Sequence, residues 1–141
     1  MTTPAFTPLI YSELTVGRPD FISLAERCEL LTQILLDCQP GEDTAAVCRC
    51  LAAWLDALSV ALDNSMSDFR VVQLTAATLS GSAGEWLSDD SALQCDYCRA
   101  LNQALLLLPA NEQAHRPLRG LLHDVVGYMT EELKAPRFCQ A

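Results

Sequence analysis

Four cysteines fall in two close pairs. Cys48-Arg49-Cys50 is a CxC and Cys95-Asp96-Tyr97-Cys98 is a CxxC, with 44 residues between them. Four thiolates can hold zinc or an iron–sulfur cluster, because soft sulfur anions suit those metals. Helix geometry weakens the first pair as a ligand set. Positions i and i+2 point about 200° apart on an α-helix, so Cys48 and Cys50 do not easily face one metal. Cys95 and Cys98, at i and i+3, share a face. No glycine-rich knuckle flanks either pair, and no βαβ pattern surrounds the CxxC to make it a thioredoxin-like redox pair. Packed thiols are the plainer expectation, since free cysteine fills cores as a small hydrophobe. Cys28 and Cys38 also fall on apolar helix faces. No metal and no cofactor is therefore assigned. A metal- or Fe–S-binding protein using Cys48, Cys50, Cys95 and Cys98 stands as an alternative.

His115 and His123 are about two helical turns apart if one helix carries both. With Arg116 and Arg119 they form a cationic cluster suited to a carboxylate or phosphate. His123-Asp124 has the form of a base beside an orienting acid. No nucleophile lies at a matching spacing, and neither HExxH nor GxSxG occurs. A half-exposed helical histidine is the plainer reading, so no catalytic residue is assigned and the chain is expected not to be an enzyme. Gly81-Ser82-Ala83-Gly84 lacks the lysine of a phosphate-cradling loop and reads as a hinge or link.

The 18 acids outnumber the 9 Lys and Arg residues, for a net charge of -9, and Lys134 is the single lysine. Direct nucleic-acid binding needs clustered bases, so this balance argues against it. Glu42-Asp43 and Asp89-Asp90 precede expected helix starts, where the dipole favours negative charge. Glu131-Glu132 lies near a helix C-terminus, where the dipole disfavours it, so these two are expected as exposed contacts for a basic partner.

The elements that position these residues are helical. Apolar residues recur at three- and four-residue spacing over about 20–38, 43–63, 67–80, 88–108 and 111–134. The expected stripes include Phe21, Leu24, Leu31, Ile34 and Leu35; then Val47, Cys50, Leu51, Trp54, Leu55 and Leu58; then Val71, Val72 and Leu74. The fourth takes Leu93, Tyr97, Cys98, Leu101 and Leu105, with Leu105 to Leu108 apolar all round and expected to be buried on more than one side. The fifth takes Leu118, Leu121, Leu122, Val125, Met129 and Leu133, starting either at Pro117 or with a first turn at 112–116, and Asn111 can cap it. Alternation suggestive of a strand occurs only at Leu9 to Val16. The expected fold is all-α, a single-domain bundle of four to five helices spanning 19–135, with an extended apolar arm at 1–18 and a tail at 136–141.

No secretory pattern opens the chain, and the longest uninterrupted apolar runs, Cys50 to Leu55 and Ala104 to Leu108, fall far short of a spanning segment. The seven cysteines are an odd number, and without an export signal no disulfide framework is expected. A cytoplasmic protein without membrane insertion is the expectation.

Half the residues are hydrophobic, a surplus that in a small domain marks an interface. The expected function is a non-enzymatic protein-binding module: a small acidic regulator, adaptor, inhibitor or chaperone acting through a hydrophobic helical surface. In composition alone it resembles bacterial secretion chaperones and anti-activators. The partner would be another protein, basic or with an exposed apolar segment, and a homodimer is compatible. Phe6, Tyr11 and Trp86 are the expected anchors, because interface energy concentrates in aromatics. Trp54 lies within a strong stripe and is expected in the core. A nucleic-acid-mimicking inhibitor is a further alternative for so acidic a chain.

Overall fold

The computed structural model describes residues 19–39, 43–64, 66, 68–77 and 90–139. The expected arm at 1–18, the glycine segment at 81–84 and Trp86 lie outside them. Five helices are described: α1 (Phe21–Asp37), α2 (Thr44–Ala61), α3 (Asp68–Gln73), α4 (Ser91–Leu107) and α5 (His115–Lys134). The all-α bundle expected from the periodicity is thus what the chain forms.

Three of the long helices start on an aspartate. Asp20 Oδ1 accepts from Ser23 N–H at 3.0 Å, Asp43 Oδ1 from Ala46 N–H at 3.0 Å, and Asp90 Oδ1 from Ala92 and Leu93 N–H at 3.0 and 3.3 Å. Each carboxylate satisfies amides that the first turn leaves without intrahelical partners, and it meets the positive end of the dipole. The fourth long helix, α5, differs: Ala114 is its N-cap, with no side-chain cap, and Asn111 remains exposed in the preceding turn. Pro117 is the third residue of α5, inside the first turn, where its missing N–H costs no intrahelical bond. The helix therefore begins two residues before the proline.

The four long helices pack in a ring, α1 on α2, α2 on α4, α4 on α5 and α5 on α1. Cross-helix bonds give the directions. Between α1 and α5, Thr130 Oγ1 donates to Ala25 O at 3.4 Å, His123 meets Thr32 at 2.9 Å, and Arg119 donates to Leu35 O at 3.1 Å. Between α2 and α4, Asn102 Nδ2 donates to Cys48 O at 2.8 Å and Cys95 Sγ to Leu55 O at 3.6 Å. In both pairs one residue number rises as its partner's falls, so the helices are antiparallel. Short links are the natural connections for such a bundle. Within the ring lie Leu24, Cys28, Leu35, Leu51, Leu55, Leu58, Leu122, Val126 and Met129, each 3% exposed or less.

Several expected faces are corrected. The buried face of α4 is Gln94, Cys95, Cys98, Asn102 and Leu105, while Leu93 and Tyr97 are exposed. Asn102 is admitted to the core because the Cys48 carbonyl receives its amide. Leu107 is 76% exposed, so the end of α4 is not buried all round. Ile34, Val72 and Leu121 likewise face outward. On α2 the outward cysteine is Cys50 and the inward one Cys48.

The third helix stops at Gln73 instead of continuing to Ser80. Leu74 O accepts from Arg137 N–H at 2.7 Å and Phe138 N–H at 3.1 Å, which takes the chain out of helical pairing. Two short strands follow, β1 (Thr75–Ala76) and β2 (Phe138–Cys139), paired in parallel with Thr75 opposite Phe138. The expected tail therefore returns to the bundle, and Phe138 packs on the core. Asp20 ties α3 down as well: the Arg70 guanidinium reaches its carboxylate, with Nη2 to Oδ1 at 3.2 Å. Burial alone would raise the Asp20 carboxyl, but the bonds from Arg70 and the Ser23 N–H outweigh it and hold it below 3.8.

Asp20→Ala removes both the cap and the α3 tie. A cap alone is worth about 0.5–2 kcal/mol, so the variant should unfold at lower urea than Asp20→Asn, which keeps the cap and loses the charge. Chemical denaturation of both variants checks this.

Candidate functional site

The helix surfaces hold more apolar side chains than the ring encloses. A groove opens between the start of α1 and the end of α2, lined by Pro19, Leu24, Trp54, Ala57, Val60 and Ala61, with a volume of about 280 Å³. Its lining is mainly aliphatic and aromatic. Trp54 packs on the core from the α2 side but is only half-buried. The expectation of a core tryptophan is therefore met only in part. Val60 is 58% exposed at the lip.

Arg27 lies over the Trp54 ring, with its guanidinium carbon 4.9 Å from the centroid. A cation over an indole face is attracted by the ring quadrupole. Its Nη1 is buried and has no hydrogen-bond partner. Leu30 and Ile34 follow Arg27 by three and seven residues, so they continue its side of α1. They are 62% and 43% exposed. The groove, which also takes in Asn64 on its polar side, and these exposed residues of α1 lie on either side of Arg27 along the helix.

A second cleft, of about 410 Å³, lies between α2 and α4 and is polar. Arg99 bridges Asp56 at 3.0 Å and Asp96 at 3.6 Å across its rim. These exposed pairs are worth little individually. Asn102 Oδ1 is buried at its base without a hydrogen-bond partner.

The histidine cluster divides in the fold. The hydroxyl of Thr32 donates to Glu29 O at 2.7 Å, so its oxygen accepts from His123 Nδ1 at 2.9 Å. His123 is thus oriented by Thr32 and not by Asp124. Arg119 serves the last carbonyls of α1, where a cation meets the negative dipole end. Arg116 is exposed and His115 is buried. Burial first, then the nearby Arg119 charge, hold His115 below its usual 6.5.

The CxC and CxxC cysteines do not form one set, although the buried Cys28, Cys95 and Cys98 lie near one another in the core. Cys48, Cys95 and Cys98 are buried and Cys50 is exposed, all as free thiols. Among the described residues no group of three or more His, Cys, Asp or Glu is arranged to hold a metal ion. Burial is the largest cause that raises Cys28 to about 12, Cys48 to about 11 and Cys95 to about 11, and it raises Cys98 further. Such thiols are poor nucleophiles, because the thiolate is the reactive form.

Of the expected contacts, Glu131 is exposed and Glu132 partly buried on α5. Phe6, Tyr11 and Trp86 fall outside the described residues. What the sequence reading missed is the side of α1 carrying Arg27, Leu30 and Ile34. Ile34 was expected in the core stripe of α1 and instead faces outward with Leu30.

By length and a mean hydropathy of 1.4, Thr44–Ala61 is apolar enough to cross a membrane. Here that helix packs against α1 and α4, with Leu51, Leu55 and Leu58 fully buried. No family model, curated protein or solved structure matches the chain.

Alkylation at pH 8 followed by mass spectrometry should modify Cys50 rapidly in the native protein. Cys28, Cys48, Cys95 and Cys98 should react at least ~100-fold more slowly until denaturant is added, from burial and from their small thiolate fractions. Lowered in the fold, His115 contributes stability that is present above about pH 6.5 and lost as pH falls through its folded value. Urea midpoints measured from pH 7 to 5 should therefore fall more steeply for the natural protein than for His115→Gln.

Proposed function

We propose that the protein is a non-enzymatic binding module that takes an apolar segment of a partner protein into the α1–α2 groove. One observation carries this reading: Val60 stands exposed at the lip of a mainly apolar groove beside the half-buried Trp54, with Leu30 and Ile34 also exposed further along α1. Contiguous apolar surface of this kind is uncommon on a small domain unless something binds it. Trp54 is the natural anchor, since aromatics in a partly enclosed pocket supply much of an interface's energy.

Charge sets the partner's flanks. With -9 overall, the protein attracts a basic partner and speeds its encounter, while the apolar centre supplies the holding energy. The partner segment is thus apolar in the middle and Lys- or Arg-rich at its ends. Glu131 and Glu132 lie on α5, away from the groove lining, and their place is in long-range attraction.

Val60→Asp and Leu30→Asp test the reading. Both positions are solvent-exposed, so stability should change by only about 0.5 kcal/mol. Affinity capture with the natural protein should retain a stoichiometric partner, and each variant should weaken its binding at least ~10-fold. A partner retained equally by all three proteins, or none retained, overturns the proposal.

A further inference from the structure

The polar cleft between α2 and α4 holds an acceptor that the fold leaves unused. Asn102 is 1% exposed and lines the cleft at its base. Its Nδ2 donates to Cys48 O at 2.8 Å. A carbonyl only accepts, so this bond fixes which end of the amide is nitrogen and turns Oδ1 away from Cys48. Oδ1 is buried and has no hydrogen-bond partner. A buried acceptor in that state is costly, and a ligand that brings a donor removes the cost.

The neighbouring side chains decide which donor. Arg99 meets Asp56 at 3.0 Å and Asp96 at 3.6 Å, so two negative charges stand against one positive charge. The whole chain carries -9. An anion would have to compete with two carboxylates for that arginine. A neutral hydroxyl would serve Oδ1 but leave the excess negative charge unanswered. A primary ammonium answers both, with three donors, no acceptor and a compact charge. The space, about 410 Å³, is that of a small-molecule site, and Ala52 and Ala100 give an alkyl chain short apolar walls.

The spacing fits. Asn102 follows Arg99 by three residues, on the same side of α4 and about 4.5 Å further along. Asp56 is the carboxylate that Arg99 already reaches from that side. An ammonium nitrogen bonds each acceptor at about 2.9 Å, so it serves two oxygens roughly one helical turn apart. Arg99 and Asp56 side chains are 46% and 64% exposed. An exposed pair of this kind is weak, and Arg99 can keep Asp96 while releasing Asp56.

We propose that the α2–α4 cleft binds a primary ammonium group, with Asn102 Oδ1 and the Asp56 carboxylate accepting from it and its alkyl chain against Ala52 and Ala100. Arg99 is then a built-in competitor, displaced from Asp56 onto Asp96. A lysine side chain and a free alkylamine present the same chemistry to the cleft.

The test uses the purified full chain, with n-butylammonium chloride as the probe and tetramethylammonium chloride as a control that has the charge but no N–H. In proton–nitrogen NMR spectra the Asn102 side-chain amide should shift saturably with the first salt and stay in place with the second. Asp56→Asn should weaken n-butylammonium binding at least ~3-fold, and Arg99→Gln, which removes the competitor, should tighten it at least ~2-fold. Both positions are exposed, so both variants keep the fold. Acetyl-lysine methylamide and diaminobutane distinguish the sources, the tighter binder marking a protein lysine or a free amine. No saturable shift, equal shifts from the two salts, or weaker binding to Arg99→Gln overturns the proposal. The probe is a free amine and the cleft lies away from α1, so this result is independent of whether the α1–α2 groove takes a partner segment.

Discussion

Four helices around one core can each bury one stripe, and this chain has more apolar side chains than four stripes can hold. That constraint governs the rest. α2 is apolar enough to cross a membrane by composition, yet only its inward row is enclosed by α1 and α4. The remainder must face outward, and it does so beside α1, whose own second row carries Leu30 and Ile34. Two helices with surplus apolar rows, packed side by side, produce the groove. It follows from the ring's geometry and requires no special loop or insertion.

What keeps the ring in one register is polar. Asn102 on the Cys48 carbonyl, Thr130 on the Ala25 carbonyl and Thr32 against His123 are buried or half-buried bonds between neighbouring helices. Leucine packing alone tolerates a sliding of one helix along another, since the side chains are similar in size. A side-chain donor aimed at one carbonyl does not, because a slip would leave buried groups without partners. The same logic explains the cysteines. Cys95 donates weakly to Leu55 O, and Cys28, Cys48 and Cys98 are buried as small hydrophobes.

The negative charge has two structural uses before any partner is considered. Asp20, Asp43 and Asp90 cap helices. Asp20 also ties α3 to α1 through Arg70, and Glu26 meets Lys134 at 3.3 Å. The groove lining holds no carboxylate, and the cation beside it is Arg27. The groove is thus mainly apolar with one arginine beside it, on a molecule that is otherwise strongly acidic.

The bundle class and the aspartate-capped starts of α1 and α2 were legible in the sequence, because they depend on local chemistry, whereas the start of α5, at His115 with no side-chain cap, was not. Which face of each helix is buried was only partly legible. Hydrophobicity favoured Leu93 and Tyr97 on α4, but Gln94 and Asn102 are inside, Asn102 because a carbonyl on the neighbouring α2 receives its amide. The early end of α3 also came from a distant segment, the Arg137 and Phe138 amides competing for Leu74. The sequence by itself determined that four long amphipathic helices must pack and that apolar surface would be left over. Only the tertiary structure decided where that surface lies, because the leftover rows become a groove only when α1 and α2 set them side by side.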